Sequence, residues 1–144
     1  MTIKWIFTDP VHPEEWFGFV YLIKNKINGR IYVGKKVFWN NTKKKLTKTE
    51  IAEQTGPGRK PTHKVVTKES NWMTYWGSNK ELLADVKEHG VNNFERKILK
   101  LCKSKKQLTY FELHYQCVYE VLSKNAYNDN ILVKFYRKDL LNEQ

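Results

Sequence analysis

Long apolar runs are missing from this 144-residue chain, and none approaches the ~18 residues that a membrane-spanning helix needs. Cysteine is scarce. Cys102 and Cys117 are the only two, and they form neither a CxxC pair nor a zinc-ligand spacing. Two buried thiols in a reducing compartment are the expectation. There is no His/Cys cluster, no GxGxxG and no phosphate-binding Walker loop, which argues against a structural zinc site, a dinucleotide enzyme and a nucleotide hydrolase. The N-terminal stretch lacks a continuous apolar segment and carries Asp9, Glu14 and Glu15, so no export signal is expected and a cytoplasmic location follows. Acidic residues are also in deficit. Against 26 Lys and Arg stand 15 Asp and Glu, a formal net charge of +11. That excess points to a polyanionic partner, nucleic acid first and an anionic membrane surface second.

The chain length is that of one domain with one core. Two β-rich runs, about 19–25 and 30–37, flank Asn28-Gly29, the dipeptide that most favours a hairpin turn. Residues 39–72 then form a polar, basic excursion broken by Gly56-Pro57-Gly58 and Pro61, with Thr47 and Glu50 able to cap a short helix over 48–54. Ser78-Asn79-Lys80-Glu81 has capping-box form and opens a helix that His89-Gly90 ends. Phe94 to Cys102 reads as a third strand. Ser104 with Gln107 opens the longest helix, about 105–123, whose Leu108, Phe111, Tyr115, Val118 and Leu122 make one buried stripe. A turn cluster over 125–130 leads to a short strand, Ile131-Leu132-Val133, and a polar tail. The order predicts an α+β fold: a small, mostly antiparallel central sheet flanked by helices, with a long basic insertion after the first hairpin.

Three features carry chemistry. Tyr21 and Tyr32 lie eleven residues apart across the hairpin. Two registers fit. A two-residue turn pairs Tyr21 with Lys36 and Tyr32 with Asn25, and a longer loop pairs the two tyrosines directly. Both place Tyr21, Tyr32, Gly34 and Lys36 on one face. The plain alternative is an ordinary aromatic pair on a half-buried sheet. Glu112 sits on or beside the apolar stripe of the long helix, where a carboxylate must be solvated at an edge, paired with a cation or bound to a metal. Lys35-Lys36, Lys43-Lys44-Lys45, Arg59-Lys60, Lys64 and Lys68 are interleaved with Trp39, Trp72, Tyr75 and Trp76. Cations with exposed aromatics suit phosphate and base contacts, and a solvated surface over core tryptophans is the plain alternative.

At these residues the chain resembles the GIY-YIG nuclease superfamily. Phe19-Val20-Tyr21 and Tyr32-Val33-Gly34 match the two-part hairpin signature. Gly90-Val91-Asn92-Asn93-Phe94-Glu95 matches the approach to the third strand, and Ala126-Tyr127-Asn128 the late asparagine. The likeness spans about 18–133 and is greatest to small phage-encoded members. It implies divalent-metal-dependent phosphodiester hydrolysis in the host cytoplasm. Glu112 would hold one Mg²⁺ or Mn²⁺ ion, Tyr21 would help deprotonate water, and Tyr32 would orient water or phosphate. Lys36 is one candidate to lower a phenol's pKa. Phe19-Val20 replaces Gly-Ile in the first motif. The larger departure is a missing arginine: ten residues after Tyr32 stands Thr42. Its role falls to Lys36, to Lys43, Lys44 and Lys45, or to Arg59, and lysine does not match arginine in bidentate phosphate contact.

The leading reading is therefore a metal-dependent DNA endonuclease, with Tyr21, Tyr32, Lys36 and Glu112 catalytic. Lys35, Lys43, Lys44, Lys45, Arg59, Lys60 and Asn128 would contact DNA. A catalytically weak DNA-binding module acting with a partner is the alternative, and a basic assembly protein the third. No membrane or small-molecule cofactor is expected. Specificity would come from loose preference, from the 39–72 excursion, from a homodimer or from a separate partner.

Overall fold

The computed structural model of the chain describes residues 4–141. In order, the elements are β1 (Gly18–Asn25), β2 (Ile31–Val37), β3 (Trp39–Lys45), α1 (Lys48–Ala52), β4 (His63–Glu69), α2 (Lys80–His89), β5 (Phe94–Cys102), α3 (Lys105–Val118), β6 (Asn130–Ile131), β7 (Phe135–Tyr136) and α4 (Arg137–Leu141). They form two compact units, Trp39–Ser70 and the remainder. The fold is α+β, as the element order predicts.

The main unit is built on an antiparallel sheet in the order β2-β1-β5. β1 is central and buried on both faces, which is why its sequence reads as a nearly unbroken apolar run. Val20, Leu22 and Val33 face α3 and pack with Leu108, Val121, Leu122, Ala126 and Ile131. Phe19 and Tyr21 face the other way, into an aromatic cluster with Trp5, Phe38, Trp72 and Tyr75. Chain segments cover both sheet edges. Ile6 bridges Lys97 on β5, and Ala126 bridges Ile31 on β2.

The hairpin register lies between the two that the sequence allows. Tyr21 opposes Gly34, and Tyr32 opposes Ile23. Asn25 donates its N–H to the Arg30 carbonyl at 2.8 Å and its carbonyl accepts from Gly29, so the turn is one step longer than Asn28-Gly29 alone. The parity is unchanged, and Tyr21, Tyr32, Gly34 and Lys36 share a face as expected. Gly34 is required there by contact. A Cβ on it would sit 2.5 Å from the Tyr21 hydroxyl, 2.8 Å from Tyr21 Cζ and 3.0 Å from a Tyr32 ring carbon.

In the second unit, the part of the excursion outside the short helix, expected as loop, forms a β3/β4 ribbon that pairs Lys43 with Val65 and Lys44 with Lys64. Its strands escape periodicity because nearly every side chain on both faces is exposed. The Thr47/Glu50 capping box forms, and its helix ends at Ala52.

Other expectations need correction. α3 stops at Val118, which is 58% exposed, and turns carry the chain to the buried Leu122. Cys102 is buried but Cys117 is exposed, because it lies on the outer face of α3. Asn79, not Ser78, caps α2, its side chain accepting from the Leu82 N–H at 2.9 Å. Leu132 and Val133 are not strand residues. They form the tip between β6 and β7, both with positive φ.

Gly34→Ala should cost about 1–3 kcal/mol, because the added methyl meets a buried ring. Urea unfolding should show a lower midpoint at constant slope. An unchanged midpoint would mean that Tyr21 can move aside.

Candidate active site

The site forms where three segments reach the outer edge of β2. The segment after α3 is anchored there first. Tyr127 donates its N–H to the Ile31 carbonyl at 2.7 Å. Asn128 closes both sides of Val33, accepting from its N–H at 3.1 Å and donating to its carbonyl at 2.9 Å. Gln116 of α3 donates to that same carbonyl at 3.3 Å. Arg137 fixes the segment from behind by donating to the carbonyls of Val121, Leu122, Lys124, Ala126 and Asn128. Arg30 stacks on the Tyr127 ring at 4.0 Å and pairs with Glu81 at 2.6 Å, tying the hairpin end to α2.

Between this segment, β2 and α3 lies an open cleft of about 490 Å³, with Tyr32, Lys35, Ser78, Glu112, Asn128 and Asp129 among its walls. Tyr32 and Lys35 project from opposite faces of the same edge strand, and the cleft wraps that edge. Lys35 donates to the Thr109 hydroxyl at 3.1 Å, and its ammonium stands 3.9 Å from a Glu112 oxygen. Glu112 is half-buried, its side chain 18% exposed. Burial pushes its carboxyl above the usual glutamate value, and the Lys35 charge only partly opposes the shift.

Tyr21 is not in the cleft. It lies beneath Tyr32, 1% exposed, with ring centroids 6.1 Å apart. Its phenol bonds the Tyr75 hydroxyl, and burial, then the neighbouring Tyr32 and Tyr75, hold its pKa well above the usual value. Burial raises Tyr32 too, and a hydrogen bond from Ser78 pulls the other way. Burial therefore moves both phenols further from ionisation. The expected lowering by Lys36 does not occur. Lys36 stands over the Tyr75 ring at 4.2 Å, outside the cleft, and its own pKa is lowered by burial. The loop Tyr75-Trp76-Gly77-Ser78 laps over both tyrosines. Gly77 has φ +87°, and a Cβ there would come 3.5 Å from the Tyr21 hydroxyl.

The structure therefore brings Tyr32, Lys35, Glu112 and Asn128 together. Asn128 is 4% exposed, with both ends of its amide bonded to Val33. Lys43, Lys44, Lys45 and Arg59 are exposed on the second unit, and Lys60 there bonds the Gly56 carbonyl at 2.6 Å. Sequence reasoning missed Ser78 and Asp129. Asp129 follows Asn128 in the turn cluster, and that adjacency was the available signal.

The donor set suits a hard divalent cation. One half-buried carboxylate faces an open cleft with room for water and phosphate oxygens, which is how Mg²⁺ is commonly held. Elsewhere Asp85, Glu88 and His89 of α2 place ligand atoms within 4.8 Å of one another. Asp85 there accepts from the Tyr127 hydroxyl at 2.6 Å.

A family model described as "Putative endonuclease segE, GIY-YIG domain" matches residues 5–140. No curated protein and no solved structure matches the chain.

The raised carboxyl of Glu112 has a consequence for stability. A carboxyl whose folded pKa exceeds its unfolded one favours the native state only when protonated, and that stabilisation is lost as pH rises from the unfolded to the folded pKa. Glu112→Gln should therefore melt at higher temperature than wild type at neutral pH, with the gap closing on acidification. A variant that melts lower at neutral pH would mean that the Lys35 contact stabilises the charged form.

Proposed function

The chain belongs to the GIY-YIG endonuclease family, and on that premise we propose that it is a divalent-metal-dependent DNA endonuclease of the small phage-encoded type. The observation that supports this most is the meeting of a phenol, an ammonium and a half-buried carboxylate on one open cleft of a strongly basic chain.

Glu112 would hold one Mg²⁺ or Mn²⁺ ion, which when bound supplies Lewis-acid charge at a non-bridging phosphate oxygen. Lys35 is the cation of the cleft and takes the part of the arginine that Thr42 lacks. As a point charge it neutralises phosphate without a bidentate fork. Tyr32, protonated and bonded to Ser78, donates a hydrogen bond that orients water or a phosphate oxygen. Asp129 offers a second carboxylate lining the same cleft to take the proton of an attacking water. Tyr21, buried under Tyr32, serves as a positioning residue. Lys36 does not share the cleft, which leaves it a lesser part. The exposed lysines of the β3/β4 ribbon add phosphate contacts that raise affinity. The missing arginine favours a second reading, a weakly active DNA-binding module, and the same assay separates the two.

Wild type with Mg²⁺ or Mn²⁺ should nick supercoiled plasmid, and EDTA should stop it. Glu112→Ala should abolish nicking while keeping DNA affinity within a few-fold. Lys35→Met should slow cleavage by ~10²-fold or more, the scale of losing one charge-stabilising group, whereas Lys36→Met should stay within a few-fold of wild type. DNA shifted but uncut by wild type under every metal condition would leave the binding module. Changing Lys43, Lys44 and Lys45 together to Ala should weaken binding uniformly and flatten its dependence on salt. An unaltered salt slope would mean that the ribbon does not touch phosphate.

A further inference from the structure

Leu132 and Val133 contradict their local structure. Both hold φ in the left-handed region, at 59° and 51°. Hairpin tips with that backbone favour Asn and Gly, and a β-branched residue such as valine is among the worst fits. Burial does not explain the choice, since Leu132 is 52% and Val133 76% exposed. Folding alone would select against this pair on both counts. The tip is nevertheless held firmly. Ile131 is buried in the core and pairs with Phe135. The Asn130 side chain accepts from the Val133 N–H at 2.9 Å, and the Ile131 carbonyl accepts from the Lys134 N–H at 3.1 Å. Both apolar side chains stand on the wall of the cleft that holds Tyr32, Lys35 and Glu112. Strained residues persist where function requires them.

We propose that Leu132 and Val133 form an apolar wedge that enters the base stack of duplex DNA beside the phosphate bound in the cleft. This rests on the nuclease reading above. The chain's charge selects the occupant: it is +11 overall and the tip is followed by the exposed Lys134, while within the cleft Lys35 stands against Glu112 and Asp129, whose charge a divalent cation would offset. Apolar side chains on a stiff support can part a base step and kink the duplex, once cations nearby hold the backbone. A kink at the cleft would turn the phosphate between the parted bases towards Glu112 and Lys35.

The test uses a duplex in which every adenine of one strand is 2-aminopurine, with EDTA present so that the strand stays intact. Wild type should bind and brighten it. The double variant Leu132→Asn, Val133→Gly should melt at higher temperature than wild type, because the strain is relieved, yet lose the brightening and nick plasmid at least ~10-fold more slowly. Val133→Phe, which keeps an apolar tip, should retain the brightening. A double variant that brightens as wild type does, or that melts lower, overturns the wedge, since the tip is then dispensable or structural. Wild type that nicks plasmid with Mg²⁺ but never brightens the duplex overturns the wedge alone. Wild type that neither binds nor nicks overturns the nuclease reading, and the wedge with it.

Discussion

The whole site hangs on one contact, the Tyr21 phenol lying across the bare backbone of Gly34. Because Gly34 has no Cβ, a buried tyrosine on the central strand can reach over the edge strand and support Tyr32 from below. Tyr75 and Gly77 then close over the same phenol. That stack sets the height of Tyr32 at the lip of the cleft. On the far side of β2, Asn128 and Gln116 hold Val33 by its backbone, so Lys35 two residues on is aimed at α3 and Glu112. Neither half of the site would be in place if β2 shifted by one residue, because such a slip exchanges its two faces.

Much of this was legible in the sequence, and the reasons differ by element. The shared face of Tyr21, Tyr32, Gly34 and Lys36 depends only on parity, which survived an error in register. The register itself depends on how far the turn around Asn25 extends, and that is decided by backbone bonds to Arg30 and Gly29. Glu112 stood out as a carboxylate beside an apolar stripe. The approach of Lys35 to Glu112 was not legible, because nothing local says which of two adjacent lysines turns towards the helix. The β3/β4 ribbon was invisible to periodicity, since strands exposed on both faces have no apolar side to reveal them. Leu132 and Val133 read as strand for the opposite reason. Their residue types favour extended backbone, and the bonds from Asn130 and Ile131 impose a turn.

The cleft is electrostatically unfinished. Glu112 is desolvated beyond what Lys35 offsets at 3.9 Å, and burial moves the Tyr32 phenol further from ionisation. A carboxylate in that condition gains from a divalent cation, and the Tyr32 phenol gains from an anion to which it can donate. Cation and phosphate together would satisfy both, which is what a phosphodiester substrate brings. Sites arranged this way give up stability for function.

The most direct test of where a metal belongs is paramagnetic broadening of the backbone amide signals by Mn²⁺, with the protein bound to a short duplex. If Glu112 holds the metal, signals around Glu112, Val33 to Lys35 and Asn128-Asp129 should vanish at the lowest Mn²⁺ additions, while those of Asp85, Glu88 and His89 persist. Broadening that begins at Asp85–His89 and spares Glu112 would contradict that assignment.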